Sequence, residues 1–330
     1  MPEASRASLV ARLRGSVAWI VAHRIGAGLL TIVIVSAVIF TITGLLPGDA
    51  AQAALGQSAT PETVAALRAQ FGLDQPAPVR YWRWLTGLFV GDAGRSYPAQ
   101  VPVADLLASR LPKSIMLAVV TASVSVPIAL TIGILSAMWR GGVLDRTLNV
   151  LTISMVAVPE FLVATLMVLA FAVKLQWLSA LSNAGDISTP AQFIRAYAMP
   201  VLTLCFVIIA QMARMTRAAV IDQLNAPYVE MALLKGAAPA RVALRHALPN
   251  AIGPIANAVA LSVSYLLGGV VIVETIFNYP GLASLMVDAV SNRDMPVVQA
   301  CAMIFCTGYL LLVLAADLLA ILSDPRMRHR

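Results

Sequence analysis

The stretch YVEMALLKGAAPARVALRHALP, residues 228–249, lies between two long apolar runs and carries Glu230, Lys235, Arg241, Arg245 and His246. That many ionisable groups keep it out of hydrocarbon. Its punctuation is helical. Asn225 stands as an N-cap, Pro227 fits the first turn, and Glu230 lies near the positive end of the helix dipole. Gly236 is placed to end that helix in a left-handed conformation. Pro239 then opens a second short helix, and Pro249 marks the start of the next apolar run. The reading is a helix–turn–helix pressed against a membrane face.

Outward from this loop, the chain is 59% hydrophobic and 12% charged, with a mean hydropathy of +0.84, which excludes a soluble globular domain. Six apolar stretches reach the roughly 20 residues needed to cross a bilayer. They fall near residues 25–46, 114–138, 147–173, 196–213, 254–273 and 296–316. Backbone polar groups in lipid must pair internally, and the runs show no β-barrel alternation, so the spans are expected to be helices. The fold class is all-α: a polytopic membrane protein with six transmembrane helices. The first run follows Arg6, Arg12, Arg14 and Arg24, as a signal peptide would, but at 22 residues it exceeds a signal core of about 7–15. It reads as an uncleaved first span.

Orientation follows from the cations. With the N-terminus inside, the inner segments hold fourteen Lys and Arg, whereas the two short outer loops hold only Lys174, Arg195 and Arg293. Both termini and the 214–253 loop are therefore expected in the cytoplasm. The net charge of +7 reflects this topology and the anionic membrane lipid beneath it, and no base-reading motif points to nucleic acid. Cys205, Cys301 and Cys306 fall inside spans and imply no disulfide framework. The scattered His23, His246 and His329 argue against a metal site.

The parts divide as residues 1–113 (tail, first span and long outer segment), 114–323 (a five-helix core with its cytoplasmic loop) and 324–330 (a basic tail). In the outer segment, Thr60-Pro61-Glu62 reads as a cap, first turn and dipole partner, with Gly72 as the stop. Tyr81-Trp82-Arg83-Trp84 has the aromatic character of a membrane–water interface. Pro102 opens a further helix bearing Val103, Leu106, Leu107 and Leu111. Glu160 is the acidic residue placed well inside the membrane, directly after Pro159. An ionisable group there costs at least a few kcal/mol unless paired or hydrated, about 2.5–3.5 on insertion scales. It lines a path, or else holds helices together. Glu274, Phe277, Pro280 and Gly281 close the outer end of the fifth span. Arg293-Asp294-Met295-Pro296 reads as a capped start to the sixth.

Glu230-x-Ala232, then Gly236, and after nine residues His246-x-Leu248-Pro249 resemble the EAA coupling loop of ABC importer permeases. Met231 and His246 depart from the residues usual there. Pro47-Gly48-Asp49, Thr60-Pro61-Glu62, Phe71-Gly72-Leu73-Asp74, Gly91-Asp92-Ala93-Gly94-Arg95-Ser96 and Asp324-Pro325-Arg326-Met327-Arg328 are similar to the dipeptide/oligopeptide/nickel branch. The resemblance implies a type I importer permease in the bacterial inner (plasma) membrane. A second homologous permease subunit, two cytosolic ATPase subunits and an extracytoplasmic substrate-binding protein complete such a system. It implies ATPase coupling through Glu230, Ala232, Gly236, His246, Leu248 and Pro249, and an outer gate at Glu274, Phe277, Pro280 and Gly281. Implied substrates are short peptides, with glutathione-like compounds, opine-like compounds and nickel as alternatives. The chain has no Gly-x-x-x-x-Gly-Lys-Ser/Thr loop and no catalytic motif. No cofactor is expected in it; ATP and Mg belong to the partners. The competing class, a stand-alone secondary transporter or channel, suits six spans and one buried carboxylate but has no need of such a loop.

Overall fold

The computed structural model describes residues 17–45, 50–182 and 189–323. The motif residues 47–49 and 324–328 and the tail arginines lie outside them. Among the described residues all regular structure is helical. The helices are α1 (Val17–Leu45), α2 (Ala50–Leu55), α3 (Pro61–Gln70), α4 (Ala77–Phe89), α5 (Val103–Met138), α6 (Val143–Ala157) and α7 (Glu160–Met167). They continue as α8 (Pro190–Leu224), α9 (Pro227–Leu234), α10 (Pro239–Val242), α11 (Leu248–Ile276), α12 (Leu282–Ser291) and α13 (Met295–Ser323). Five of these stretches are long and apolar enough to cross a membrane, and a sixth results if α6 and α7 form one broken span.

The span expected over 147–173, with Pro159 suited to a kink, is broken outright there. α6 and α7, the latter prolonged by a π-helical turn to Lys174, meet at 97°. Proline disfavours a helical conformation in the residue before it, and Val158 is accordingly extended, with ψ 125°. Pro159 then caps α7 and leaves Glu160 as its first residue.

Two further boundaries move. The helix opened by Pro102 and the span expected from residue 114 are one 36-residue element that runs through Pro112 and Pro127. α8 likewise continues through Arg214 and Arg217 to Leu224, well past the residue 213 expected from hydropathy. Asn225 therefore closes α8 and does not cap α9; the residue preceding Pro227 in that role is Ala226, without a side-chain hydrogen bond.

α8 is the axis of the bundle, packed by α5, α11, α6 and α7. α5 meets it through a stripe of small residues that includes Ser125, Ala129, Gly133 and Ser136. Such residues let helix backbones approach closely in lipid. At Gly133 a Cβ would lie 2.7 Å from the Ala213 carbonyl oxygen. α13 packs on α11, and α1 packs on α13 through an Arg24–Asp317 ion pair of 2.7 Å and a Gln299–Thr43 hydrogen bond of 2.7 Å. α1 otherwise shows its apolar surface outward, with Leu29, Leu30, Ile34 and Ile42 exposed.

Residues 50–102 form a cap at the bundle end opposite α9, where Ala93 packs with Leu282, Val297 and Cys301. Thr60 caps α3 through a capping box with Thr63, and Gly72 stops that helix at φ +66°. α4 leans on α1, where Tyr81 and Ser36 share a hydrogen bond of 2.9 Å.

Candidate functional site

The loop between α8 and α11 is a small folded unit. Val229 of α9, Val242 of α10 and Ala247 pack together with Leu224, Ala232 and Ala237. At the end of α9, the Gly236 N–H donates to the Leu233 carbonyl (2.9 Å) and the Ala237 N–H to Ala232 (3.2 Å), with Gly236 at φ +81°. This is the Schellman arrangement, which satisfies the last helical carbonyls and reverses the chain. Ala243–Ala247 form a π turn leading into Leu248, where Pro249 supplies no N–H to the ladder. Leu248 itself packs against Ala137, Val220 and Ile221, joining the loop to the ends of α5 and α8.

The outer surface of this unit sets large apolar side chains among charged ones, with Lys235, Arg241 and Arg245 also exposed. Met231, Leu233, Leu234 and Leu244 are exposed, Leu234 at 77%, beside the exposed Glu230 and His246. Of the residues singled out in the sequence, Ala232, Leu248 and Gly236 build the scaffold. Glu230, His246 and Pro249 face outward.

Just inside this face lies a cluster that the sequence did not reveal. Asp145 is buried at 3% exposure, and Arg217 grips both its oxygens at 2.7 and 2.9 Å. The Ser136 hydroxyl, the Gly141 N–H and the Asn149 amide also donate to Asp145. The cluster ties the α5–α6 turn to α8. Removing one partner of such a pair leaves an uncompensated buried charge, at a cost of about 3–5 kcal/mol. A cavity of about 590 Å³ opens beside it, lined by Asn149, Gln211, Arg214 and Arg217.

At the opposite end, Glu274 is fully buried on the last turn of α11. Its Oε1 accepts from the Ser114 hydroxyl (2.5 Å), and its Oε2 from the Ala283 and Ser284 N–H groups (2.8 and 3.0 Å). A carboxylate from one helix thus caps the N-terminus of another, α12, where the dipole favours negative charge. Phe277 and Tyr279 are buried, and the Tyr279 hydroxyl bonds to the Lys113 carbonyl (2.8 Å) and to Tyr197 (3.0 Å). The Glu274–Gly281 turn is therefore stapled to α5 and α8. It borders a cavity of about 600 Å³ lined by Arg110, Asn278, Pro280 and Asp288.

Glu160 sits apart from both networks. It is half-buried between α7 and α11, against Gly269, where a Cβ would lie 2.6 Å from its Oε1. Glu274 follows Gly269 by five positions on α11, about 7.5 Å along the axis. Among the described residues no group of three or more His, Cys, Asp or Glu is arranged to hold a metal ion.

Residues 129–329 match the protein family described as "Binding-protein-dependent transport system inner membrane component". The chain belongs to that family. Residues 17–118 match the companion N-terminal family of the same transport systems. The "Probable peptide ABC transporter permease protein y4tP" of Sinorhizobium fredii is 36% identical over 88% of this chain and 93% of its own. The "Glutathione transport system permease protein GsiC" of Pectobacterium atrosepticum is 36% identical over 91% of this chain and 95% of its own. Among solved structures, the MetNI methionine ABC transporter in inward-facing conformations aligns with a TM-score of 0.49 and 17% identity, over 68% of this chain and 95% of that one. The protein is thus an ABC importer permease, a membrane transport subunit and not an enzyme, of a family that works with ATPase and binding-protein partners.

Ser114 and Arg217 are the members of these two networks least visible in the sequence. Their partners lie 160 and 72 residues away, beyond the reach of any local spacing rule.

Proposed function

We propose that this permease carries short peptides, glutathione-like compounds among them, across the bacterial inner membrane. The names of its relatives support this class, since both describe solutes with peptide bonds. In this reading the α9–α10 face and both termini are cytoplasmic and the α3–α4 cap faces outward. A second homologous permease subunit shares the path, two cytosolic ATPase subunits dock below, and a binding protein delivers from outside.

The observation that carries the reading is the exposed apolar surface on a loop that is itself rigidly packed. Met231, Leu234 and Leu244 have no intramolecular reason to point outward, whereas Val229, Val242 and Ala247 hold the unit together beneath them. Apolar surface displayed on a rigid mount fits a groove on another protein. Glu230 and His246 at its edge supply polar contacts with the ATPase.

Motion at this loop has a direct route across the membrane. α11 starts at Leu248 and reaches the Glu274 staple about 39 Å further along its axis. Closure of the ATPase pair would push the α9–α10 unit, tilt α11 and α8, and move the Glu274–Gly281 turn that gates the outer side. Glu160, against the outer third of α11 at Gly269, would face the path and meet the ammonium end of a peptide.

Crosslinking tests the reading. With the whole complex in membranes, Met231→Cys should couple to single cysteines on the ATPase groove, and the yield should change with ATP. Labelling of residue 231 from the outside only, or purification of the permease without any ATPase, would overturn it.

A further inference from the structure

α4 presents three different faces. Tyr81 and Leu85 turn to the bundle. Trp82, Phe89 and Val90 stand out from it at 61%, 75% and 81% exposure. Arg80, Arg83 and Trp84 line a cavity of about 300 Å³, closed on its far side by Phe71, Tyr97 and Arg95. This cavity plays no part in coupling or gating as described above.

Its electrostatics are unbalanced. Three guanidinium groups border it, and none of them forms an ion pair with a carboxylate among the described residues. Arg80 lies over the Phe40 ring at 5.8 Å, and Arg95 donates only to the Gln100 carbonyl, at 3.3 Å. The carboxylate on the rim, Asp92, already accepts from the Gly94 N–H at 2.9 Å. The indole N–H of Trp84 is buried with no hydrogen-bond partner among the described residues. Clustered cations and an orphaned buried donor both ask for the same ligand, an anion with several acceptor oxygens.

The position of the cavity says where that anion comes from. Phe40 of α1 forms one wall, and the neighbouring Val38, Ile42 and Leu45 are exposed apolar side chains on the surface α1 turns to lipid. Trp82, Phe89 and Val90 continue that surface on α4, with a tryptophan at the level where indole rings favour the membrane–water interface. A soluble anion would gain nothing from this apolar border, whereas an amphiphile would. We propose that the cavity binds the phosphodiester headgroup of an anionic phospholipid, its acyl chains lying along α1 and the Trp82 side of α4. Arg80, Arg83 and Arg95 take the phosphate oxygens and Trp84 donates one hydrogen bond. A choline or ethanolamine headgroup would bring a cation against the three arginines and is disfavoured. That the leaflet is the outer one rests on the orientation proposed above; the site itself does not.

Native mass spectrometry of the intact complex, purified from mixed micelles, tests this. Phosphatidylglycerol should remain bound under conditions that strip phosphatidylcholine, and millimolar inorganic phosphate should not displace it. Arg83→Gln and Arg95→Gln, both at exposed positions, should each lower retention about fivefold, the factor for one basic side chain near an anionic lipid. Trp84→Phe keeps the ring and should lower it less. Equal retention of the two lipids, or no change in either arginine variant, overturns the site. Displacement by phosphate alone would make it a free-anion site and overturn the lipid assignment. If a variant fails to assemble, the competition among the two lipids and phosphate on the unmodified complex still decides. A complex that keeps its ATPases but shows no lipid preference refutes this inference without touching the transport reading.

Discussion

Gly236 and Gly281 mark the turns on either side of the α10–α11 rod, and both stood out in the sequence, yet they serve opposite needs. Gly236 sits at φ +81°, and a Cβ built there meets nothing within 4 Å. Its requirement is conformational. Gly281 has an ordinary φ of −104°, but a Cβ there would fall 2.0 Å from Oε1 of Glu274 and 2.2 Å from its Cδ. Its requirement is space. The difference extends to the regions around them. The α9–α10 face is held by a thin core and leaves its large apolar side chains outside. The Glu274 end meets its buried polar groups within the chain, beside an open cavity. On the transport reading proposed above, one end awaits a partner protein, while the other satisfies its polar groups within the chain.

Substitutions should separate the two. Gly281→Ala should have the largest effect, on the order of 3 kcal/mol, because the new methyl must displace a buried carboxylate and the three donors it satisfies. Thermal unfolding of the solubilised complex should register it. The double variant Gly281→Ala/Glu274→Ala should be no worse than Glu274→Ala alone, since the clash then has no partner. Full additivity would break the spatial account.

Gly236→Val comes next. A β-branched side chain at positive φ costs about 1–2 kcal/mol, which the loop and not the bundle must absorb. Membrane insertion and unfolding temperature should stay near normal, while ATPase stimulation and uptake are lost. The ranking of substitutes sharpens the contrast. Asn tolerates the left-handed region, so Asn should outperform Ala at 236, whereas at 281 the smaller Ala should outperform Asn. The same order at both positions would erase the distinction.

Glu160→Gln preserves the shape packed against Gly269 and removes only the charge. Uptake of peptides with a free amino terminus should fall severalfold at normal complex levels; a collapse in assembly would make Glu160 structural, like Glu274. The smallest effect is expected at Asp294. It accepts from Ser96 (2.5 Å) and from the Tyr97 N–H (3.1 Å), yet burial, the largest influence, still holds its carboxyl above the usual range. A raised value favours the protonated form in the fold. Its stabilisation is complete below the ordinary Asp value of about 3.9 and is lost as pH rises through the raised one. Melting of the wild-type protein should therefore decline across that window, and Asp294→Asn should flatten the decline.

Much of this was legible in the chain because it acts over short range. Apolar run length determined the number of crossings, and the bilayer's demand for paired backbone made them helical. The Thr60 cap, the left-handed Gly72 and Gly236, and the break at Pro159 each involve groups within a few residues of one another. What the sequence left open depends on distant partners. α8 carries Arg217 onward because Asp145, 72 residues away, receives it. α5 runs through Pro112, so its helix begins at Val103, ahead of the apolar run expected from residue 114. Asn225 turned out to end a helix because α8 had not yet stopped. Glu274 became a helix cap only when the fold set Ser114 and the first turn of α12 around it. Local rules determine where a helix starts and bends, but whether a charge can be buried depends on what the tertiary structure brings to meet it.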